Sequence, residues 1–212
     1  MQASFCTSTK KEVPSMDSNR FQKQLDFILE IDKEKEIYRQ THLKGYKRQE
    51  NDAEHAWHMA VMIYLLKEYA NEKFDVAKAM MMALIHDIVE IDAGDTYAYD
   101  SDNLATQSIR EEKAANRIFG MLPDDQKEEM KSLFNEFEAG ETPEAKFAKV
   151  MDNFQPLLLN DSNNGMDWKA HKIKKSQVVN RQKKSLPGSK DIWEYTKKLI
   201  ENNVAKGNII DD

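Results

Sequence analysis

The amino-acid sequence predicts an all-α protein, a bundle of about seven or eight helices. Three observations support this prediction. Gly (7) and Pro (5) are rare among the 212 residues, while the helix formers Lys, Glu, Ala, Leu and Met are abundant. Apolar residues recur at helical spacing along most of the chain. No segment shows a convincing β-strand pattern.

Length and composition predict one helical domain over residues 17–212, preceded by a disordered leader over residues 1–16. A chain of this size buries roughly 70% of its unfolded surface, so it needs no covalent staples. The leader is polar and lacks the apolar core of a signal peptide. Its single cysteine, Cys6, cannot form an internal disulfide. Because no stretch is long and apolar enough to span a bilayer, we expect a cytoplasmic protein with no membrane partner.

The net charge of −6 argues against binding to nucleic acid. It allows a small anionic substrate, because a bound cation can dominate the local field of a site. A basic run near the C-terminus is interpreted as a solvated face, with Lys175 as a minor candidate for facing a phosphate. The run comprises Lys172, Lys174, Lys175, Arg181, Lys183 and Lys184.

Apolar spacing predicts three helices in the first half of the chain. The first follows Asp17 or Ser18 as a possible N-cap and carries Phe21, Leu25, Ile28 and Leu29. After a polar loop over 41–51, Asp52 can cap a second helix. Asp75 can cap a third, from Val76 to about Val89. Residues 79–85 are apolar all round, which predicts a helix at the centre of the core.

The second half begins with a predicted loop over 91–103. Helices are expected over 104–119 and from Pro123 to Gly140. The next helix has Thr142 as its cap and Pro143 at its first position, and Pro156 predicts a kink within it. Two further helical stretches cover about 173–184 and 189–204. The last is a C-terminal arm over about 189–205.

The pair His86-Asp87 is the first candidate for chemistry. The dipeptide alone is weak evidence, but it ends the most hydrophobic helix of the chain, where an unpaired polar group is costly. A divalent metal would supply the missing partner. His55, in the first turn of the second helix, and Asp152, among Val150, Met151 and Phe154, are the natural further ligands. On spacing alone, a capping Asp152 and a core His55 are equal alternatives.

Two histidines with two aspartates suit Mn, Co, Fe or Zn in preference to Mg, with water in the open positions. The metal site would then lie within residues 55–152. His58 is interpreted as a core histidine, or as one that contacts the metal ligands without binding the metal itself.

Three segments carry a family resemblance: 48–57 (RQENDAEHAW), 86–96 (HDIVEIDAGDT) and 142–152 (TPEAKFAKVMD). Their H…HD…D order resembles the HD superfamily of metal-dependent phosphohydrolases, in the branch that contains bacterial 5′-deoxynucleotidases. The resemblance covers roughly Phe21 to Val178. It implies an HD-type helical fold, often dimeric, with His55, His86, Asp87 and Asp152 as metal ligands. It also implies hydrolysis of a phosphate monoester, such as a deoxynucleoside 5′-monophosphate.

Three more residues are candidates for the reaction. Glu90, four residues after His86, would share its face on a continued helix and could orient or deprotonate a water that the metal has acidified. Asp95 follows Gly94 and could reach the leaving oxygen. Arg48 has the planar donor group that suits a phosphate. Exposed or turn charges are the alternatives for all three.

One departure from the deoxynucleotidases affects substrate choice. Gln40 and Thr41 align with an Arg-Trp pair that holds the nucleotide there, and Arg39 is only nearby. This departure bears on deoxynucleotide selectivity more than on hydrolysis. A second enzyme interpretation keeps the metal site and changes the substrate to a nucleoside triphosphate or to a cyclic or alarmone phosphate. A catalytically idle HD domain that binds a nucleotide is the alternative to an enzyme.

A homodimer is expected from the resemblance. The apolar stripe Ile192–Val204, or the faces of earlier helices, could form its interface. Docking of that stripe on its own bundle is the favoured alternative.

Overall fold

The protein structure, a computed structural model, describes residues 17–95 and 101–212. The predicted leader and part of the predicted loop lie outside the described residues. The all-α prediction is confirmed, and the elements follow one another in this order: α1 (Ser18–Glu30), a 3₁₀ helix (Ile31–Glu36), β1 (Tyr38–His42), β2 (Gln49–Asn51), α2 (Asp52–Leu66), a 3₁₀ helix (Lys67–Tyr69), α3 (Val76–Ile85), α4 (Glu90–Ala93), α5 (Ser101–Phe119), α6 (Asp124–Ala139), α7 (Pro143–Ser162), α8 (Met166–Ala170), α9 (Lys175–Gln182), a 3₁₀ helix (Lys183–Ser185) and α10 (Lys190–Ala205).

Helix α7 is the central element and packs against α2, α3 and α6. Its buried side chains Phe147 and Met151 meet Met59 and Ile63 of α2 and Met82 of α3 in the larger apolar cluster. A second cluster joins the end of α3 to α1, α5 and α6. Within the apolar run 79–85, Ala79, Met82, Ala83 and Ile85 are buried in the core, whereas Leu84 is 41% exposed, so one face of the helix reaches solvent.

Several helix starts agree with the sequence. Asp17, Asp75 and Thr142 each accept a hydrogen bond from a backbone N–H of the first turn, and Pro143 follows its cap directly. Helix α2 differs: its cap is Asn51, whose side chain accepts from the Glu54 N–H while the Glu54 carboxylate accepts from the Asn51 N–H. Asp52 is thereby free for another role.

The structure corrects the predicted loop over 41–51 and the absence of strands. Strands β1 and β2 form an antiparallel hairpin, with Tyr38 opposite Asn51 and His42 opposite Gln49. Polar contacts with the end of α7 and with α8 anchor it. The N–H of His42 donates to Asp167 Oδ2 (3.1 Å), and His42 Nδ1 lies 2.7 Å from Asp167 Oδ1. Asn163 bonds the N–H of Gly45 and two carbonyls of the hairpin.

Helix α3 is shorter than predicted. It ends at Ile85, not near Val89, because the next residues form tight turns such as Glu90 N–H to Asp87 carbonyl (2.8 Å). The short α4 then ends at Gly94, whose φ of +75° suits glycine. Helix α7 continues past Pro156. Because proline has no N–H, the carbonyl of Asp152 loses its ordinary helical partner.

The C-terminal stripe packs on its own bundle: Ile192, Leu199 and Ile200 are buried in the larger cluster. In the described part of the chain, no helix combines the length and the apolar character needed to cross a membrane.

Candidate metal centre

Three of the predicted ligands converge from three different helices. His55 comes from the first turn of α2, His86 directly follows α3, and Asp152 lies in the middle of α7. One donor atom of each lies within 4.8 Å of the other two. His55 Nε2 and Asp152 Oδ1 are 3.3 Å apart. This is the spacing of groups that can share one cation.

Hydrogen bonds on the far side of each imidazole aim its other nitrogen at this point. His55 Nδ1 donates to Gln155 Oε1 (3.0 Å), and His86 Nδ1 donates to the Ala83 carbonyl (2.9 Å). His86 Nε2 is buried and makes no hydrogen bond with the described residues, although Asp87 Oδ1 lies 3.0 Å away. A buried nitrogen without a partner is costly, and a divalent ion would provide the partner. The donor set therefore fits a metal.

Gln155 supports His55 and was not identified from the sequence. It is fully buried, and its Nε2 donates both to Glu50 Oε1 (2.6 Å) and to His58 Nδ1 (3.1 Å). Glu50 is also buried. One sequence signal was available: Gln155 follows Asp152 by three residues, so the two share a helix face.

Asp87 is held by an arginine that the sequence placed only near the site. Arg39, on β1, donates from Nη1 to Asp87 Oδ2 (2.7 Å) and to Asp52 Oδ1 (3.1 Å). Its side chain is only 11% exposed. Burial raises the pKa of the Asp87 carboxyl, but His86 and Arg39 together hold it below its ordinary value. Asp87 therefore presents a carboxylate 3.0 Å from His86 Nε2.

Carboxylate charge attracts protons to the imidazoles. Burial lowers the pKa of His86, but the adjacent Asp87 charge outweighs burial and raises it to about 9. Burial also raises the pKa of Asp152, yet the bond from His55 and the charges of Arg181 and His86 bring it well below its ordinary value. A metal ion would take the place of these protons, so its affinity is expected to rise with pH.

A second group of carboxylates lies beside the first. Asp52, Glu90 and Asp95 each place one oxygen within 4.8 Å of the others. Asp52 Oδ2 and Glu90 Oε2 are buried and have no partner among the described residues. Burial, followed by the charge of Asp87, raises the pKa of Asp52 to about 7 and that of Glu90 well above its ordinary value. This group can hold protons or a further cation.

His86 and Asp152 of the first group and Glu90 and Asp95 of the second line one polar cavity of about 360 Å³. Phe137 packs against the His86 ring, with 4.8 Å between centroids. The described residues that line the cavity include Arg39, His86, Asp87, Glu90, Asp95, Gln107, Ser108, Glu111, Phe137, Glu138, Lys149, Asp152, Asn153, Arg181 and Lys184. Three of the four candidate ligands, His86, Asp87 and Asp152, therefore face this cavity.

The structure does not bring Arg48 to this cavity. Its side chain is half exposed and forms a two-pronged ion pair with Glu54 (2.5 and 2.8 Å) at the start of α2. Glu90 and Asp95 do line the cavity. Among the described residues, the arginines that line the cavity are Arg39 and Arg181.

Comparisons with known proteins agree with this arrangement. The family model described as "HD domain" matches residues 31–193. A human protein named 5′-deoxynucleotidase HDDC2 is 30% identical over 115 residues, 54% of this chain and 55% of that protein. The chain thus spans about half the length of the first curated relatives it matches. A Schizosaccharomyces pombe protein named 5′-deoxynucleotidase hdd1 is 25% identical over 77% of this chain and 74% of its own length.

A solved structure has the same fold over nearly the whole chain. It is described as a predicted metal-dependent phosphohydrolase from Magnetospirillum magnetotacticum MS-1 and is 44% identical, with a TM-score of 0.87. The match covers 93% of this chain and 99% of that one. A Pyrococcus horikoshii structure, at 21% identity and a TM-score of 0.59, shares the fold. The chain belongs to the HD domain family.

Proposed function

We propose that this chain is a metal-dependent phosphohydrolase that cleaves a phosphate monoester, with a deoxynucleoside 5′-monophosphate as the favoured substrate. The observation that carries the proposal is the meeting of His55, His86 and Asp152 beside a polar cavity, with a buried His86 nitrogen that makes no hydrogen bond with the described residues. Asp87 completes the proposed ligand set. The deoxynucleotidase relatives support the substrate class.

A divalent ion held by these four residues would polarise the phosphoryl oxygens and make water more acidic. The two imidazole donors favour Mn, Co, Fe or Zn over Mg. Only one such ion is needed for the proposed reaction.

Residues of the chain then accept and donate the protons of the reaction and hold the charged groups in position. Water attacks phosphorus as the ester P–O bond breaks. Glu90, which lines the cavity beside the proposed ligands, is suited to accept the proton that water loses. Asp95 delivers a proton to the leaving alcohol oxygen, so that the products are orthophosphate and a nucleoside. Arg39 fixes Asp87 through its 2.7 Å bond.

A substrate panel tests the proposal. Mono- and triphosphates are incubated with the full chain and Mn, and both orthophosphate and pyrophosphate are measured. We expect orthophosphate from monophosphates, almost complete loss after chelation, and recovery with Mn or Co before Mg. A pyrophosphate product would instead support the triphosphate or alarmone alternative. Nucleotide binding without turnover would support an idle binding module.

Replacing Glu90 tests its proposed part in proton transfer. Glu90→Gln should lower turnover about 100-fold or more while metal content stays unchanged. Glu128→Gln, on the exposed face of α6, is the matched control and should be as active as the wild type. An equal loss of metal and activity in Glu90→Gln would contradict the proton-transfer role.

We also propose a cytoplasmic homodimer. Because the C-terminal stripe packs on its own bundle, we place the proposed dimer interface on the outer face of α2. There Trp57, Val61, Tyr64 and Leu65 are exposed at helical spacing. Light scattering over a dilution series is expected to give a dimer for the wild type and a monomer for Trp57→Lys. A wild-type monomer at high micromolar concentration would contradict it.

A further inference from the structure

We infer that Arg181 is the principal phosphate-binding residue of the cavity and binds the phosphoryl oxygens of the substrate. This inference rests on the proposed phosphohydrolase function and names the anion subsite within it. The sequence alone placed Arg181 in a basic run that was interpreted as a solvated face. In the structure, Arg181 is instead partly buried and lines the cavity.

Arg181 is partly buried and lines the same cavity as His86, Asp87 and Asp152. Its guanidinium makes no hydrogen bond and no ion pair with the residues that the structure describes. A guanidinium has five N–H donors in a planar fork, which suit two phosphate oxygens at once. Arg181 therefore offers the cavity an unused set of donors.

The other cations of the cavity are engaged or more exposed. Arg39 already bonds Asp87 and Asp52. Lys149 Nζ lies 3.6 Å from Glu138 and 4.6 Å from the centroid of the Phe137 ring. Lys184 lines the cavity from an exposed position. These contacts leave Arg181 as the better-placed guanidinium for an incoming anion.

The backbone that carries Arg181 is fixed close to the candidate metal ligands. The next residue, Gln182, is buried and donates to the carbonyl of Asn153 on α7 (2.7 Å). Val178, one turn earlier on α9, is fully buried. This anchoring places Arg181 beside the α7 segment that contains Asp152. The electrostatic effect of Arg181 reaches both Asp152 and Asp95.

The charge balance of the cavity shows why such a cation is needed. The described lining residues carry six carboxylates and four Lys or Arg cations. A divalent ion offsets that excess of negative charge but leaves little net attraction for a phosphate dianion. An unpaired guanidinium supplies that attraction and fixes the orientation of the ester.

The test measures the binding of inorganic phosphate to the Mn-loaded full chain by calorimetry, together with KM and kcat for a monophosphate. Arg181→Gln should weaken phosphate about 10- to 100-fold and raise KM by a similar factor. Arg181→Lys should weaken phosphate by a smaller factor and keep the Mn affinity within about twofold, because it keeps the charge but loses the fork. Lys183→Gln, an exposed neighbour outside the cavity lining, is the matched control and should bind phosphate normally.

Phosphate affinity of Mn-loaded Arg181→Gln within twofold of the wild type would overturn the inference. Full phosphate affinity in Arg181→Lys would also overturn it, because charge alone would then be sufficient. A wild type that hydrolyses no monoester but loses phosphate binding with Arg181→Gln would refute the proposed function and still support the anion subsite.

Discussion

Gln155 joins the candidate metal centre to the protein interior, and its replacement by Met is the sharpest test of that connection. The variant keeps a side chain of similar length and removes every hydrogen bond that the amide makes. His55 Nδ1 loses its acceptor at 3.0 Å, and Glu50 Oε1 loses its donor at 2.6 Å. His58 Nδ1 loses a donor at 3.1 Å.

The magnitude follows from the burial of these groups. Gln155, Glu50 and His55 are each 0–1% exposed, so solvent cannot replace the lost bonds. A buried polar group without a partner costs about 1–3 kcal/mol. Because two fully buried groups, His55 Nδ1 and Glu50 Oε1, lose these bonds, we expect Gln155→Met to lower the free energy of unfolding by about 2–6 kcal/mol. Loss of an outer partner of a metal-binding histidine lowers metal affinity about 10- to 100-fold.

Two assays measure these effects separately. Urea unfolding of the metal-free protein gives the stability change, and Mn titration against a competing chelator gives the affinity. Gln182→Met is the matched control, because Gln182 is also buried but bonds the Asn153 carbonyl instead of His55. It should lose stability and bind Mn nearly as the wild type does. Mn affinity within twofold of the wild type in Gln155→Met would refute the reasoning.

Three further predictions concern stability and are measured by denaturant or thermal unfolding of the metal-free chain. Burial and the charges of Asp87 and Asp52 raise the pKa of Glu34 from 4.5 to about 8, so its stabilising contribution is complete below pH 4.5 and is lost as pH rises through 8. The wild type should therefore lose up to about 4–5 kcal/mol relative to Glu34→Gln between pH 5 and 9, and a constant difference would contradict this. Arg39→Met leaves two buried carboxylates without their cation and should cost about 3–5 kcal/mol at pH 7; a change below 1 kcal/mol would argue that the pair is not structural. Gly188→Ala places a Cβ 2.5 Å from the Lys146 carbonyl oxygen and 2.6 Å from Val150 Cγ2. This clash should lower the free energy of unfolding by about 1–3 kcal/mol. A variant as stable as the wild type would show that α10 can move to relieve the clash.

Elements with strong local signals were predictable from the sequence. Helix α7 combines Thr142, Pro143 and a regular apolar face, so its start is determined locally. His86 and Asp87 follow an apolar helix, and this position marks them as polar groups in the core. These features are determined by residues close together in the sequence, so they can be predicted from the sequence.

The hairpin β1–β2 was not predictable in the same way. Its strands YRQTH and QEN lack apolar alternation, and the side chains that anchor the hairpin are more than 115 residues away in sequence. The roles of Arg39 and Arg48 follow from that geometry. The strand directs Arg39 to Asp87, whereas Arg48 meets Glu54 at the next helix. Sequence distance to His55 could not distinguish the two arginines.

The early end of α3 has a similar origin. Ile88 and Val89 continue the apolar pattern, so the periodicity favours a longer helix. In the fold these two side chains belong to the second apolar cluster, beside Phe119 and Phe134. These two aromatic packing partners lie at least 30 residues away in sequence, so the local pattern does not show where the helix ends.

The proposed metal donors come from three separate helical segments, and this origin would also affect the lifetime of the chain. A cation at His55, His86 and Asp152 would join segments up to 97 residues apart, and an unfolded chain does not hold them together. Ligands that bind only the native state stabilise it by mass action, by about 2.7 kcal/mol at a concentration one hundred times Kd. The concentration of available metal would then determine how fast proteases degrade this protein. The metal-free chain would unfold more often and expose its backbone to cleavage.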